Sequence, residues 1–129
     1  MSIPTEPPSA ALPKNFLRSC VLLLLREHSA HGYELLERLG PLGLSRDDPG
    51  RLYRVLRGLE AEGLVRSAWE PSDSGPDRRT YQLTRAGMEA LHHAARSLVT
   101  TNMTLNVFLS RYAEFVALEV DRPAVRELR

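Results

Sequence analysis

The sequence predicts a mainly α domain with one small β-hairpin, continued by a single long C-terminal helix. Three observations predict it. Leu52, Val55, Leu56 and Leu59 fall at i, i+3, i+4, i+7, one stripe of a helix. Across Val65–Glu70 and Arg78–Leu83 the period changes to two, with turn-forming residues between the runs. From Arg85 to about Glu119 there is no proline, and Leu91, Leu98, Leu105 and Tyr112 recur every seven residues.

A chain of 129 residues suits one domain plus an appended helix. It hides roughly two-thirds of its unfolded surface on folding. Lys+Arg is 17 and Asp+Glu is 16, a net charge of +1. Any nucleic-acid function must therefore rest on where the arginines sit. Cys20 is the single cysteine, which excludes a disulfide framework and a cysteine-built zinc site. A reducing, cytoplasmic setting is expected. The longest pure apolar run is Val21–Leu25, far below the ~20 residues of a membrane span, and no signal peptide is read.

The elements follow in order. Residues 1–13 hold four of the nine prolines and read as a disordered arm without Lys or Arg. Asn15 is a candidate cap for a helix over 15–28, apolar almost all round. Periodicity alone does not separate a buried helix from a buried strand there, but the leucines favour helix. Such a helix must be covered by its own domain or by a partner subunit. Ser29 is expected to cap a second helix carrying Tyr33, Leu35, Leu36 and Leu39, ended by Gly40-Pro41 and Gly43. Asp48-Pro49 starts a third: Asp at the cap, proline where its missing N–H costs nothing. That helix stops near Gly63, and Arg51, Arg54 and Arg57, three apart, are expected on one stripe separate from the core stripe. The hairpin has a loop of about seven residues, long by the usual 2–5. Thr84 caps the last helix, with Gly87 where a full capping box has an acid. Ala95, Asn102, Leu109 and Val116 sit four beyond the heptad leucines, completing an a/d seam. A helix of ~35 residues spans about 50 Å, too long for the preceding domain to cover, so a second chain is expected along it. The expected boundaries are a 1–13 arm, a 14–84 domain, an 85–120 dimerisation helix and a 121–129 tail.

Helix, helix, turn, helix and hairpin make a winged helix-turn-helix. Its third helix offers a free backbone N-terminus at Pro49 and Gly50 to phosphate. Guanidinium pairs bidentately with guanine O6 and N7, or clamps a phosphate. Arg78 and Arg79 alternate in facing on the wing, so one at a time reaches DNA. Asp47, Asp48, Asp73 and Asp77 weaken the field, so non-specific binding should be weak.

The segments His31-Gly32-Tyr33-Glu34-Leu35, Pro49 to Val65 and Gly75 to Gly87 resemble the PadR-type transcriptional regulators. The resemblance covers roughly residues 14–115. It implies a cytoplasmic repressor, dimeric through its C-terminal helix, on a palindromic operator and released by a small molecule. Pro13-Lys14-Asn15-Phe16-Leu17, with Cys20 and the leucine run, is most similar to the polyhydroxybutyrate-responsive branch. The C-terminal part is short, like the subgroup with one long helix. Drug-sensing lineages of that subgroup carry a tryptophan in the dimer pore. Trp69, the only tryptophan, lies on the wing, so that chemistry is not carried over.

The expected DNA contacts are His31, Pro49, Gly50, Arg51, Tyr53, Arg54, Arg57, Arg78 and Arg79. Two stay open: Tyr53 packs on the second helix or touches DNA, and His31 caps that helix or touches phosphate. The expected dimer interface is Phe16, Leu91, Leu98, Leu105, Leu109, Tyr112 and Val116. Met103, Phe108 and Tyr112 are candidates for an effector site between subunits, though an apolar stripe is core by default. Asn102 reads as a register-setting polar residue, Trp69 as wing packing, and Cys20 as a buried small hydrophobe. No metal site, cofactor or catalytic set is read. The partners expected are double-stranded DNA with an inverted repeat, a second copy of the chain and a small-molecule effector, with no membrane. The competing reading is a winged-helix adaptor for proteins or a granule surface, without sequence-specific DNA binding.

Overall fold

The computed structural model describes residues 12–44 and 48–121, with side chains to residue 118. The expected arm and tail lie outside the described residues, apart from residues 12–13 and 121. So do residues 45–47 of the link before the third helix. The elements are α1 (Phe16–Glu27), β1 (Ala30–His31), α2 (Gly32–Leu39) with a 3₁₀ turn at Gly40–Leu42, α3 (Pro49–Ala61), β2 (Val65–Glu70), β3 (Arg78–Leu83) and α4 (Arg85–Asp121).

The fold is mainly helical with a small antiparallel sheet of order β1-β3-β2. The hairpin loop is the expected Pro71–Asp77, and the register pairs Val65 with Leu83 and Glu70 with Arg78. A third strand was not legible. Two residues, Ala30 and His31, pair with Tyr81 and Thr80 and make β3 the central strand. Two residues are too few to carry a period.

α1 is covered by its own domain. Leu17, Cys20, Val21, Leu22, Leu24 and Leu25 are buried, against Leu35 and Leu39 of α2 and Leu52, Leu56 and Leu59 of α3. Ala30, Val65 and Tyr81 close the core from the sheet. Only Leu23 of the leucine run stays open, at 40% exposure. Burial raises the Cys20 thiol above its ordinary pKa.

Helix ends partly follow the expected chemistry. Asp48 Oδ1 accepts the Arg51 N–H at 3.1 Å, and Pro49 opens α3. Thr84 Oγ1 accepts the Gly87 N–H at 3.1 Å and donates to the Gly63 carbonyl at 2.7 Å. The missing acid at Gly87 has a steric reason: a Cβ there would stand 2.1 Å from the Leu64 carbonyl oxygen. Asn15 does not cap α1 with its side chain; it occupies the left-handed region (φ 66°), which asparagine tolerates. Ser29 does not cap α2 either, because the strand at Ala30–His31 intervenes and His31 takes that position.

Two ion pairs tie the helices. Arg18 of α1 grips both Glu62 oxygens just beyond α3, at 2.5 and 2.9 Å. That guanidinium holds the Glu62 carboxyl below its ordinary pKa. Arg38 of α2 reaches Glu27 and the Leu24 carbonyl at 2.6 and 2.9 Å.

The chain divides into two units between Leu91 and His92. What is described of the second unit is one helix, the continuation of α4. Its apolar side chains are mostly exposed, Leu105 at 53% among them.

Candidate functional site

The first unit carries a groove of about 690 Å³ between the start of α2, one flank of α3 and the wing. His31, Tyr33, Tyr53, Arg57, Arg78 and Arg79 line it, with Trp69 and Tyr81 behind. No carboxylate is among its described lining residues.

The backbone explains each position. His31 precedes α2, and its Nδ1 accepts the Glu34 N–H at 3.3 Å, a capping box with Glu34 in return. With Nδ1 accepting, the ring proton sits on Nε2 and is donated to Glu34 Oε1 at 3.1 Å. Arg78 Nη1 stands 3.3 Å from the same Nε2, beside that carboxylate. Tyr53 resolves one open alternative in part. Its ring lies over Gly32, where an added Cβ would be 2.5 Å from the hydroxyl, yet it still lines the groove. Glycine at position 32 is what lets α3 carry a tyrosine so close to α2.

The three arginines of α3 do not form one stripe. A step of three residues turns about −60°, so Arg51, Arg54 and Arg57 fan over roughly 120°. Arg57 lines the wing-side groove. Arg51 lies on the opposite flank, in a second groove with Lys14, Phe16 and Arg18. Arg54 points between them, its Nη1 folded to 3.3 Å from where a Cβ of Gly50 would be. All three are exposed, as are Pro49 and Gly50.

Arg79 is the most constrained cation of the site. Its Nε donates to Ser67 Oγ at 2.9 Å and its Nη2 to Glu60 Oε1 at 3.0 Å. Ser67 in turn donates to Glu60 Oε2 at 2.6 Å. The guanidinium sits 5.9 Å from the Trp69 ring centre and 5.8 Å from that of Tyr81, within cation–π range. Burial pushes the Tyr81 phenol above its ordinary pKa, while Arg79 pulls it the other way. Arg79 therefore fixes the wing to α3. Arg78, one residue earlier, has no such clamp: its Nη1 stands near the His31 ring, whose Nε2–H is already donated to Glu34.

Some of these residues were missed. Glu60 and Ser67 carried no signal, because their pairing joins a helix to a strand through the fold. Tyr33 was counted with the apolar periodicity of α2, yet it is 65% exposed. The missed signal is angular: Tyr33 lies about 160° from Leu35, on the side away from the core. Trp69, read as wing packing, is 67% exposed and partners Arg79.

The expected interface residues divide in the same way. Phe16 and Leu91 are half-buried against the core of their own domain. Leu98 is half-buried, while Leu109, Tyr112 and Val116 are exposed along with Leu105. Of the candidate effector residues, Phe108 and Tyr112 share a face four residues apart. Met103 lies about 140° from Phe108 round the helix, so the three do not form one surface on a single chain.

Comparison with known proteins fits this geometry. Residues 21–93 match the model of the transcriptional regulator PadR-like family. A transcriptional regulator of Mycobacterium tuberculosis is 39% identical over 89 residues, 66% of this chain and 81% of that protein. Among solved structures, a PadR-like regulator of Bacillus cereus superposes with a TM-score of 0.64 at 29% identity, covering 74% of this chain and 93% of the other. Bacillus subtilis PadR in complex with operator DNA superposes with a TM-score of 0.58 at 25% identity, covering 64% and 48%. These matches leave the polyhydroxybutyrate-responsive branch undistinguished. With its winged-helix core, its arginine-bearing third helix and its long last helix, the chain belongs to the PadR-like family of transcriptional regulators.

Proposed function

We propose that the chain is a homodimeric, cytoplasmic repressor that reads an inverted-repeat operator with α3. The observation that carries the reading is the cationic groove. In a chain of net charge +1, Arg57, Arg78 and Arg79, the last paired with Glu60, line one concavity beside the exposed Arg54. That arrangement suits a polyanionic backbone along the wing, with guanidinium on base edges ahead of it. The operator-bound relative supports the same use of the fold. His31 and Tyr53 set the groove wall and meet the backbone secondarily; Arg51 meets it from the other flank. Dimerisation through Leu98, Leu105, Leu109, Tyr112 and Val116 would place two α3 helices about 34 Å apart, one turn of DNA. A small molecule held near Phe108 and Tyr112 between subunits is the proposed releasing signal, with Met103 contributed from the partner's side.

The test is fluorescence anisotropy with the DNA upstream of the protein's own gene against a scrambled duplex, at two salt concentrations. The reading expects tight binding that survives the higher salt and discriminates against the scramble. No binding to either duplex at low salt would leave the protein-adaptor reading in its place.

A further inference from the structure

We propose a second site, for a small diphosphate-bearing ligand, on the reverse face of the sheet. Strand alternation separates it from the groove above. Ser67, Arg79 and Tyr81 face α3, whereas Arg66 and Gln82, paired across β2 and β3, face the other way. There a groove of about 670 Å³ lies between the end of α1, that face of the hairpin and the first turn of α4. Its cationic lining is Arg26, Arg66 and Arg85, from three different elements, with His28 beside them, and no described lining residue is acidic.

Three arginines outside the groove are paired with acids, Arg18 with Glu62, Arg38 with Glu27 and Arg79 with Glu60, whereas Arg51, Arg54 and Arg57 of α3 have no such partner among the described residues. The groove's arginines have none among the described residues. Arg66 spends only Nε, on Gln82 Oε1 at 3.1 Å, which leaves its terminal nitrogens for a ligand. Like charges gathered in one concavity repel, and the arrangement is stabilised by an anion that meets several forks at once. Two linked phosphates offer more oxygens to guanidinium groups on separate elements than one phosphate does. Leu83 and Met88 add an apolar wall that would suit an organic group attached to them. The volume is that of a small-molecule site.

This site does not rest on the DNA reading, and its test contains no DNA. The full chain would be titrated calorimetrically with pyrophosphate, ADP and adenosine at constant ionic strength. The expected result is one saturable site per chain for pyrophosphate and ADP, and none for adenosine. ADP tighter than pyrophosphate would assign the apolar wall to the nucleoside, and equal affinity would assign the diphosphate alone. Arg85→Ala and Arg66→Ala should each weaken binding about tenfold or more, with Arg57→Ala unchanged. Arg85 has no side-chain partner among the described residues, so that variant should keep the melting transition of the parent. Absence of saturable binding overturns the proposal. So does a loss in Arg57→Ala as large as in Arg85→Ala, which would put the anion in the DNA groove or in general screening.

Discussion

Leu56 and Leu105 are the same residue type on helices of one chain, and they meet opposite environments. Leu56 is fully buried between α1, α2 and the sheet; Leu105 is half open to solvent. The winged domain satisfies its apolar surface within a single chain. The distal part of α4 leaves Val107, Phe108, Leu109, Tyr112 and Phe115 all exposed. An exposed apolar surface on that scale marks an interaction site. The difference teaches that one region is complete alone, and that the other leaves apolar surface which the proposed dimer would cover.

The largest effect is expected along the proposed dimer seam. Leu105→Asp would bury an unpaired charge at a symmetric seam, at a cost of about 3–5 kcal/mol per site. Sedimentation should then find a monomer with the winged domain still folded, and a dimer would break the comparison. Leu56→Ala sharpens it from the other side. It should lower unfolding stability by about 2–5 kcal/mol through the cavity it leaves. Because that core lies within one chain, the loss read from urea unfolding should not change with protein concentration.

Arg54→Ala should leave both regions intact and cost roughly 1–3 kcal/mol of specific DNA binding, with blurred preference at one base position. Unchanged operator affinity would take Arg54 out of the readout and move it to Arg57. The smallest effect concerns the α1–α3 clamp. Arg18 lowers the Glu62 pKa in the folded chain, so the pair stabilises above the unfolded carboxylate range. That contribution is lost as pH falls through the folded value. Glu62→Gln should flatten the acid side of a stability–pH profile, and a profile identical to the parent's would show the clamp to be idle.

Much of this was legible from residues alone, for stated reasons. The stripe of Leu52, Leu56 and Leu59, the Asp48-Pro49 start and the Thr84 cap are local signals with local causes. The hairpin was legible because period two is visible over six residues. What stayed hidden depends on the fold. The strand at Ala30–His31 is too short to show a period, and it displaces the cap from Ser29 to His31. The Glu60–Ser67–Arg79 network joins residues that only packing brings together. The fan of Arg51, Arg54 and Arg57 was present in the spacing, since three residues fall short of a full turn.

The central claim is that two copies of α3 read DNA from a dimer built on α4. Hydroxyl-radical footprinting of the upstream duplex tests it most directly. Two protected segments on one face of the duplex, centred about one helical turn (~34 Å) apart, are the predicted result. A single protected segment at saturating protein would contradict it.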